Sequence, residues 1–140
     1  MSKSWNPDQQ RAIDVRNKNI LVSASAGSGK TGVLIQRLVE LVTKDGVQLN
    51  EILAMTFTNA AAAEMKKRLS SEITRLIAEC NDEKEKRYLN SQLTQLTTAH
   101  ISTIHSFCLS IIQNYYYIIN CSPKRAGNIL DSATQGLYQQ

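Results

Sequence analysis

Asn19-Ile-Leu-Val-Ser-Ala-Ser-Ala-Gly-Ser-Gly-Lys-Thr-Gly32 is the stretch from which the rest of this chain can be read. An apolar run, Ile20-Leu21-Val22, leads into small residues, then Gly27-Ser28-Gly29-Lys30-Thr31, then the periodic apolar pattern of a helix from Val33. Strand, glycine loop and helix in that order form an anion site. The backbone N–H groups of such a loop turn inward on phosphate oxygens, and a helix starting at Lys30 aims its positive dipole end at the same point. Lys30 then supplies a point charge for the outer phosphates of a nucleoside triphosphate, and the Thr31 hydroxyl is a ligand for the accompanying Mg2+. One position departs from the strict G-x-x-x-x-G-K-[ST] pattern: Ala24 stands where the first glycine would be. From average composition, Gly-x-Gly-Lys-[ST] arises by chance in a chain of this length about once in two hundred. The flanking strand and helix patterns lower that further. The competing reading is a glycine-rich surface turn before a helix.

Upstream, Asn6-Pro7-Asp8-Gln9 is a helix start. Asn6 can cap, Pro7 suits the first turn, and Gln9 lies where a capping box places its amide; the helix runs to about Val15. A glutamine amide also offers a donor and an acceptor together, so Gln9 could read the N6/N7 edge of adenine, and the two roles are compatible. Downstream, Leu34, Leu38, Leu41 and Val42 recur at helical spacing, with Gly46 at a turn. Residues 51–57, Ile52-Leu53-Ala54-Met55-Thr56-Phe57 within them, suit a buried parallel strand. The strand ends at Thr58-Asn59, on the edge where open parallel sheets bind ligands.

A long amphipathic helix follows through Ala60–Ala63, Met65, Leu69, Ile73, Leu76 and Ile77, with Lys66, Lys67, Arg68 and Arg75 on its other face. Those cations read as a solvated face. The charged patch Asp82–Arg87 opens a further, structural helix through Leu89, Leu93 and Leu96. A third strand is expected near 98–103, then a helix through Leu109, Ile112 and Tyr116 that Thr103 can cap. His105 at its start assembles no Ser/His/Asp set or metal cluster, and Tyr115-Tyr116-Tyr117 reads as packing.

The 140 residues, 42% hydrophobic, suit a single α/β domain. A net charge of +4 permits an acidic polymer as partner without demanding one. Cys80, Cys108 and Cys121 support neither a disulfide framework nor a zinc site. They read as reduced thiols, consistent with a cytoplasmic location. The N-terminal residues lack an apolar signal core, and no apolar run approaches the length of a membrane span.

Four segments, in order, resemble the superfamily-1 DNA helicases of the UvrD/PcrA/Rep type. Trp5–Ile13 is similar to the Q motif, Ala24–Thr31 to motif I in its AxxGxGKT form, Met55–Met65 to motif Ia, and Ile101–Phe107 to motif Ib. Ser23–Ala26, and Ser106-Phe107-Cys108 leading to Tyr115–Tyr117, look more like the larger helicase chain of AddAB (RexAB) type helicase-nucleases, AddA. The resemblance implies a P-loop NTPase (RecA-like) fold, a parallel sheet with flanking helices, of which residues 1–140 are the N-terminal part. It implies ATP and Mg2+ as cofactors, translocation on single-stranded DNA, unwinding of duplex ends in double-strand-break repair and recombination, a second helicase-nuclease chain as partner, and a nuclease domain far beyond residue 140. Carried over by motif, Gln9 would read adenine. Ala24, Ser25, Ala26, Gly27, Ser28, Gly29, Lys30 and Thr31 would hold phosphates, with Lys30 and Thr31 catalytic and Thr31 on the metal. Thr56, Phe57, Thr58, Asn59, Thr103 and His105 would meet DNA, with Phe57 stacking on bases.

Hydrolysis also needs a carboxylate pair at the end of an apolar strand. None of Asp8, Asp14, Asp45, Asp82 and Asp131 follows a run of four apolar residues. The chain therefore reads as ending before the Walker B strand, and as inactive in turnover by itself. The alternative is a stand-alone P-loop nucleotide-binding protein or small nucleotide kinase. Three parallel strands are expected, near 19–24, 51–57 and 98–103. An unfinished sheet should leave an edge exposed for self-association, aided by Ile118, Ile119, Ile129 and Leu130.

Overall fold

The structure is a computed structural model that describes residues 4–23, 25 and 27–118. The expectations for Ala24, Ala26, Ile119, Cys121, Ile129, Leu130 and Asp131 lie outside them.

Helix α1 (Pro7–Asp14) starts as its sequence requires: Asn6 accepts from the Gln9 N–H, the Gln9 side chain accepts from the Asn6 N–H, and Pro7 occupies the first turn. Helix α2 spans Lys30–Thr43. It buries Val33, Ile35, Leu38, Val39 and Val42, so its core stripe passes beside Leu34, which is exposed, rather than through it. Gly46 turns the chain with a left-handed φ of 69°. A short 3-10 helix (Leu49–Glu51) then leads into strand β1 (Leu53–Thr56).

Helix α3 (Asn59–Glu79), capped by Thr58, buries Ala62, Met65, Leu69 and Ile73 as the spacing predicts. Its outward cations are solvated, with Arg68 paired to Glu64 and Arg75 to Glu72 and Glu79. Helix α4 (Glu83–Gln95), capped by Asp82, is structural: Leu89 is buried, and the fully buried Gln92 accepts the Leu49 N–H at 2.9 Å. Strand β2 (His100–Thr103) pairs parallel to β1, with Ala54 beside Ile101 and Thr56 beside Thr103. Helix α5 (Ile104–Tyr115) follows directly, capped by Thr103.

The core joins Ile35, Leu38, Val39 and Val42 of α2 to Met65, Leu69 and Ile73 of α3, with Leu49, Leu89, Leu96 and Ile101. Two of the three expected strands are present and parallel. The third is not: Asn19–Ser23 form no strand, and the described sheet has the order β1-β2 alone. A strand exists by pairing, and no described strand pairs with this segment. Its apolar side chains accordingly face solvent, Leu21 at 95% exposure.

Strand β1 also departs from the fully buried strand expected of it. Leu53 and Met55 are exposed, because the packed face is the one carrying Ala54 and Ile101. The tyrosine triplet packs less than expected: Tyr115 and Tyr117 are exposed, Tyr116 is half-buried, and α5 buries no residue. No described helix is long and apolar enough to cross a membrane.

Candidate functional site

The glycine loop holds the backbone its composition demands. Gly27 and Gly29 have φ of 77° and 83°, in the left-handed region that side chains disfavour. A Cβ on Gly29 would also come within 3.4 Å of Gln9 Nε2, so the missing side chain lets α1 approach the loop. Ser28 N–H donates to the Ser25 carbonyl at 3.3 Å, and Lys30 Nζ donates to that same carbonyl at 2.8 Å. Lys30 thus arches back over the loop. Gly29 is the N-cap of α2 and no side chain caps that helix, so its first N–H groups face the loop without a capping oxygen.

These features fit a phosphate group. Two left-handed glycines, an uncapped helix N-terminus and an amine over the loop together form a concave set of donors. The Ser28 Oγ is buried and has no hydrogen-bond partner, a further polar atom within this cradle. For Mg2+ the exposed Thr31 hydroxyl is the adjacent protein oxygen. The described residues hold no cluster of three His, Cys, Asp or Glu. A magnesium ion usually takes one or two protein ligands and completes its shell with substrate phosphates and water, so one hydroxyl suits that mode of binding.

Gln9 is joined to this loop from 19 residues upstream, with Nε2 donating to the Ser28 carbonyl at 3.1 Å. Its Oε1 accepts the Asn6 N–H at 3.0 Å. Capping and loop contact therefore coexist in one amide. These two bonds use one of its two donor hydrogens and one of its two acceptor lone pairs, which leaves one of each for a base edge.

The second group of residues gathers at the C-terminal end of the sheet, where parallel register sets Thr56 beside Thr103. Phe57 leaves β1 with its ring 94% exposed. Thr56 Oγ1 donates to the Thr58 carbonyl at 2.9 Å, and Thr58 Oγ1 accepts the Ala61 N–H at 3.1 Å. Asn59 opens α3 and His105 lies in the first turn of α5, both exposed. Thr103 differs from them: it is buried, its hydroxyl accepting from the Ser106 N–H and donating to Ser106 Oγ, so it shapes this edge more than it faces it.

Away from both groups, an open cleft of about 540 Å³ lies between the end of α2 and the α3–α4 turn, lined by Glu40, Lys44, Arg75, Glu79, Cys80 and Glu85 among others. Desolvation, and then the Glu85 carboxylate that its thiol donates to, push the Cys80 pKa up, so this thiol is held in its unreactive form. No described Asp or Glu follows the end of either strand.

Residues 5–138 match the family model described as UvrD/REP helicase N-terminal domain. The chain belongs to that family. Among curated proteins it is similar to the ATP-dependent helicase/nuclease AddA of Ligilactobacillus salivarius, 50% identical over 119 residues, covering 85% of this chain and 10% of the relative. The proteins of the same name from Alkaliphilus metalliredigens and Clostridium novyi are 41% and 46% identical over 136 and 148 residues. Each of these matches covers 96% of this chain, and 11% and 12% of the respective relative. The chain thus spans about a tenth of the length of these relatives. Motif resemblance and family agree, and the family implies ATP use.

The contacts that sequence reasoning missed are those between α1 and α2. Arg37 donates from Nη1 to the carbonyls of Ala12 and Ile13, and the Trp5 ring lies over Gly32. Both link residues more than twenty positions apart. Nothing local in the sequence marks them.

Proposed function

We propose that this chain is the ATP-binding segment of an ATP-dependent DNA helicase-nuclease, one that moves along single-stranded DNA and opens duplex ends during double-strand-break repair and recombination. The observation that carries the reading is the joining of Gln9 to the Ser28 carbonyl beside an uncapped helix N-terminus, which puts a base-reading amide next to a phosphate cradle. ATP, when bound, supplies the phosphoanhydride whose hydrolysis drives movement. Residues Ala24–Thr31 hold its phosphates, Lys30 exchanges the Ser25 carbonyl for phosphate oxygen, and Thr31 contributes to the Mg2+ shell. Gln9 reads the adenine edge. The site's own residues include no strand-end carboxylate to orient water, so turnover draws on parts of a longer protein.

Phe57 offers its exposed ring to a base. Such stacking tolerates any sequence and is worth roughly 1–3 kcal/mol per base. Thr56, Thr58, Asn59, Thr103 and His105 lie along the same edge, toward the DNA backbone. The relatives are named for one chain of a multi-chain enzyme, which supports a second, different chain as the partner in the cytoplasm and gives no support to self-association through a sheet edge.

The test is fluorescence titration of the 140-residue chain with a labelled ATP in the presence of Mg2+. Weak binding that Lys30→Ala abolishes, without DNA-stimulated hydrolysis, is expected. Binding indifferent to Lys30→Ala, or robust turnover by the chain itself, would refute the reading. In a protein of the relatives' length, Phe57→Ala should impair unwinding and spare ATP binding; equal loss of ATP binding would make Phe57 a packing residue.

A further inference from the structure

Helix α1 has eight residues, too few to hold its own shape in water, so the place of Gln9 depends on what fastens this helix to the rest of the protein. One fastening is apolar: Ile13 is fully buried. Another is at the helix C-terminus, whose last carbonyls lack partners within the helix. Arg37 Nη1 donates to the Ala12 carbonyl at 2.8 Å and to the Ile13 carbonyl at 3.2 Å. Arg16 also donates to the Ile13 carbonyl and pairs with Asp45, with Glu40 at 3.9 Å. A cation at this end also complements the helix dipole. The third fastening lies ahead of the helix, where the Trp5 ring covers Gly32 so closely that a Cβ there would stand 3.3 Å from it.

Gly32 and Arg37 both belong to α2, the helix that starts at Lys30. Arg37 is seven residues past Lys30, two turns or about 10 Å along the same rod. The segment carrying Gln9 is therefore gripped at both ends by the helix whose N-terminus forms the phosphate cradle. Gln9 lies between the two grips, and there it meets Ser28.

We propose that Arg37 is a positioning residue for base recognition: by capping α1 from α2 it holds the Gln9 amide in fixed register with the glycine loop. This rests on the reading of the loop as an adenine-nucleotide site. Arg37 touches no nucleotide in this account. Its guanidinium acts on the base through the C-terminus of α1, and its effect should appear in base preference rather than in phosphate affinity.

Two readouts on the 140-residue chain test this, using Arg37→Met, which keeps the aliphatic stem and removes the guanidinium. Trp5 is the sole tryptophan of the chain, so acrylamide quenching of its fluorescence reports the grip without any nucleotide. Quenching should rise in Arg37→Met and return toward the parent value in Arg37→Lys, while the thermal melt of helix content stays cooperative. In the second readout, the preference for Mg-ATP over Mg-GTP should fall roughly tenfold, the weight of one net hydrogen bond. Affinity for Mg-GTP should be unchanged. Gln9→Ala should lose the same preference, and the double variant should lose no more than either single change, because both act on one contact.

The proposal is overturned if Arg37→Met leaves base preference unchanged while binding still depends on Lys30, whether or not quenching rises. It is also overturned if preference falls but the double variant loses the sum of the two effects. The nucleotide reading fails in a distinguishable way: the parent chain would bind no nucleotide, or bind it regardless of Lys30→Ala, and base positioning would fall with it.

Discussion

The two ends of α2 live in different surroundings. From Ile35 onward the helix is buried against α3, with Leu38, Val39 and Val42 in the core beside Leu69 and Ile73. Its first turn, by contrast, emerges from a loop of small residues, preceded by Ile20-Leu21-Val22 facing solvent in no strand. Stability is drawn from one end and ligand chemistry from the other. The glycine loop keeps its left-handed backbone with little packing of its own, and a rigid rod anchored elsewhere holds it in place. A phosphate cradle can therefore be altered at Lys30 or Thr31 without threatening the fold.

That contrast has a measurable size. Leu69→Ala in the packed end should cost about 2–5 kcal/mol in urea unfolding, through lost burial and the cavity left behind. The same truncation at Leu21 should stay within about 0.5 kcal/mol, since an exposed side chain leaves no cavity. Comparable losses at both positions would show that residues 20–22 are packed after all. Next in size, Gln92→Ala should cost about 1–3 kcal/mol, because it strands the buried Leu49 N–H. An unchanged midpoint would mean that the α4–Leu49 contact lies outside the cooperative core.

The smallest effect belongs to the solvated face of α3. The Arg68 guanidinium, by hydrogen bond and then by charge, holds the Glu64 carboxyl below the usual glutamate range. A lowered folded-state pKa stabilises above the unfolded value and is lost as pH falls through the folded one. Arg68→Ala should thus lower the melting temperature slightly at neutral pH, with the difference vanishing in acid. A difference that grows toward acid would reverse the sign of this account.

Much of this was legible in the sequence because it rests on local chemistry. Asn6, Pro7 and Gln9 form the capping box that their spacing announces, and Thr58, Asp82 and Thr103 cap their helices. The core of α3 follows its apolar period. Motif I lay in the glycines themselves, whose φ values of 77° and 83° a turn before a helix requires. Illegible were the features set by partners. Ile20-Leu21-Val22 reads as a strand by composition, but pairing decides strands, and β1 and β2 pair with each other. Leu34 fits a helical apolar stripe, yet the position of α3 moves the buried stripe to Ile35, Leu38 and Val42. Arg37 looks like any helix cation until α1 folds against it.

The central claim is that nucleotide binds at the glycine loop and at no other hollow of the molecule. Amide hydrogen exchange of the chain with and without Mg-ATP tests it most directly. New protection confined to residues 25–32 and the Gln9 turn, with the buried amides of α3 unchanged, is the expected result. Protection appearing instead around Glu40, Cys80 and Glu85, or surviving in Lys30→Ala, would contradict it.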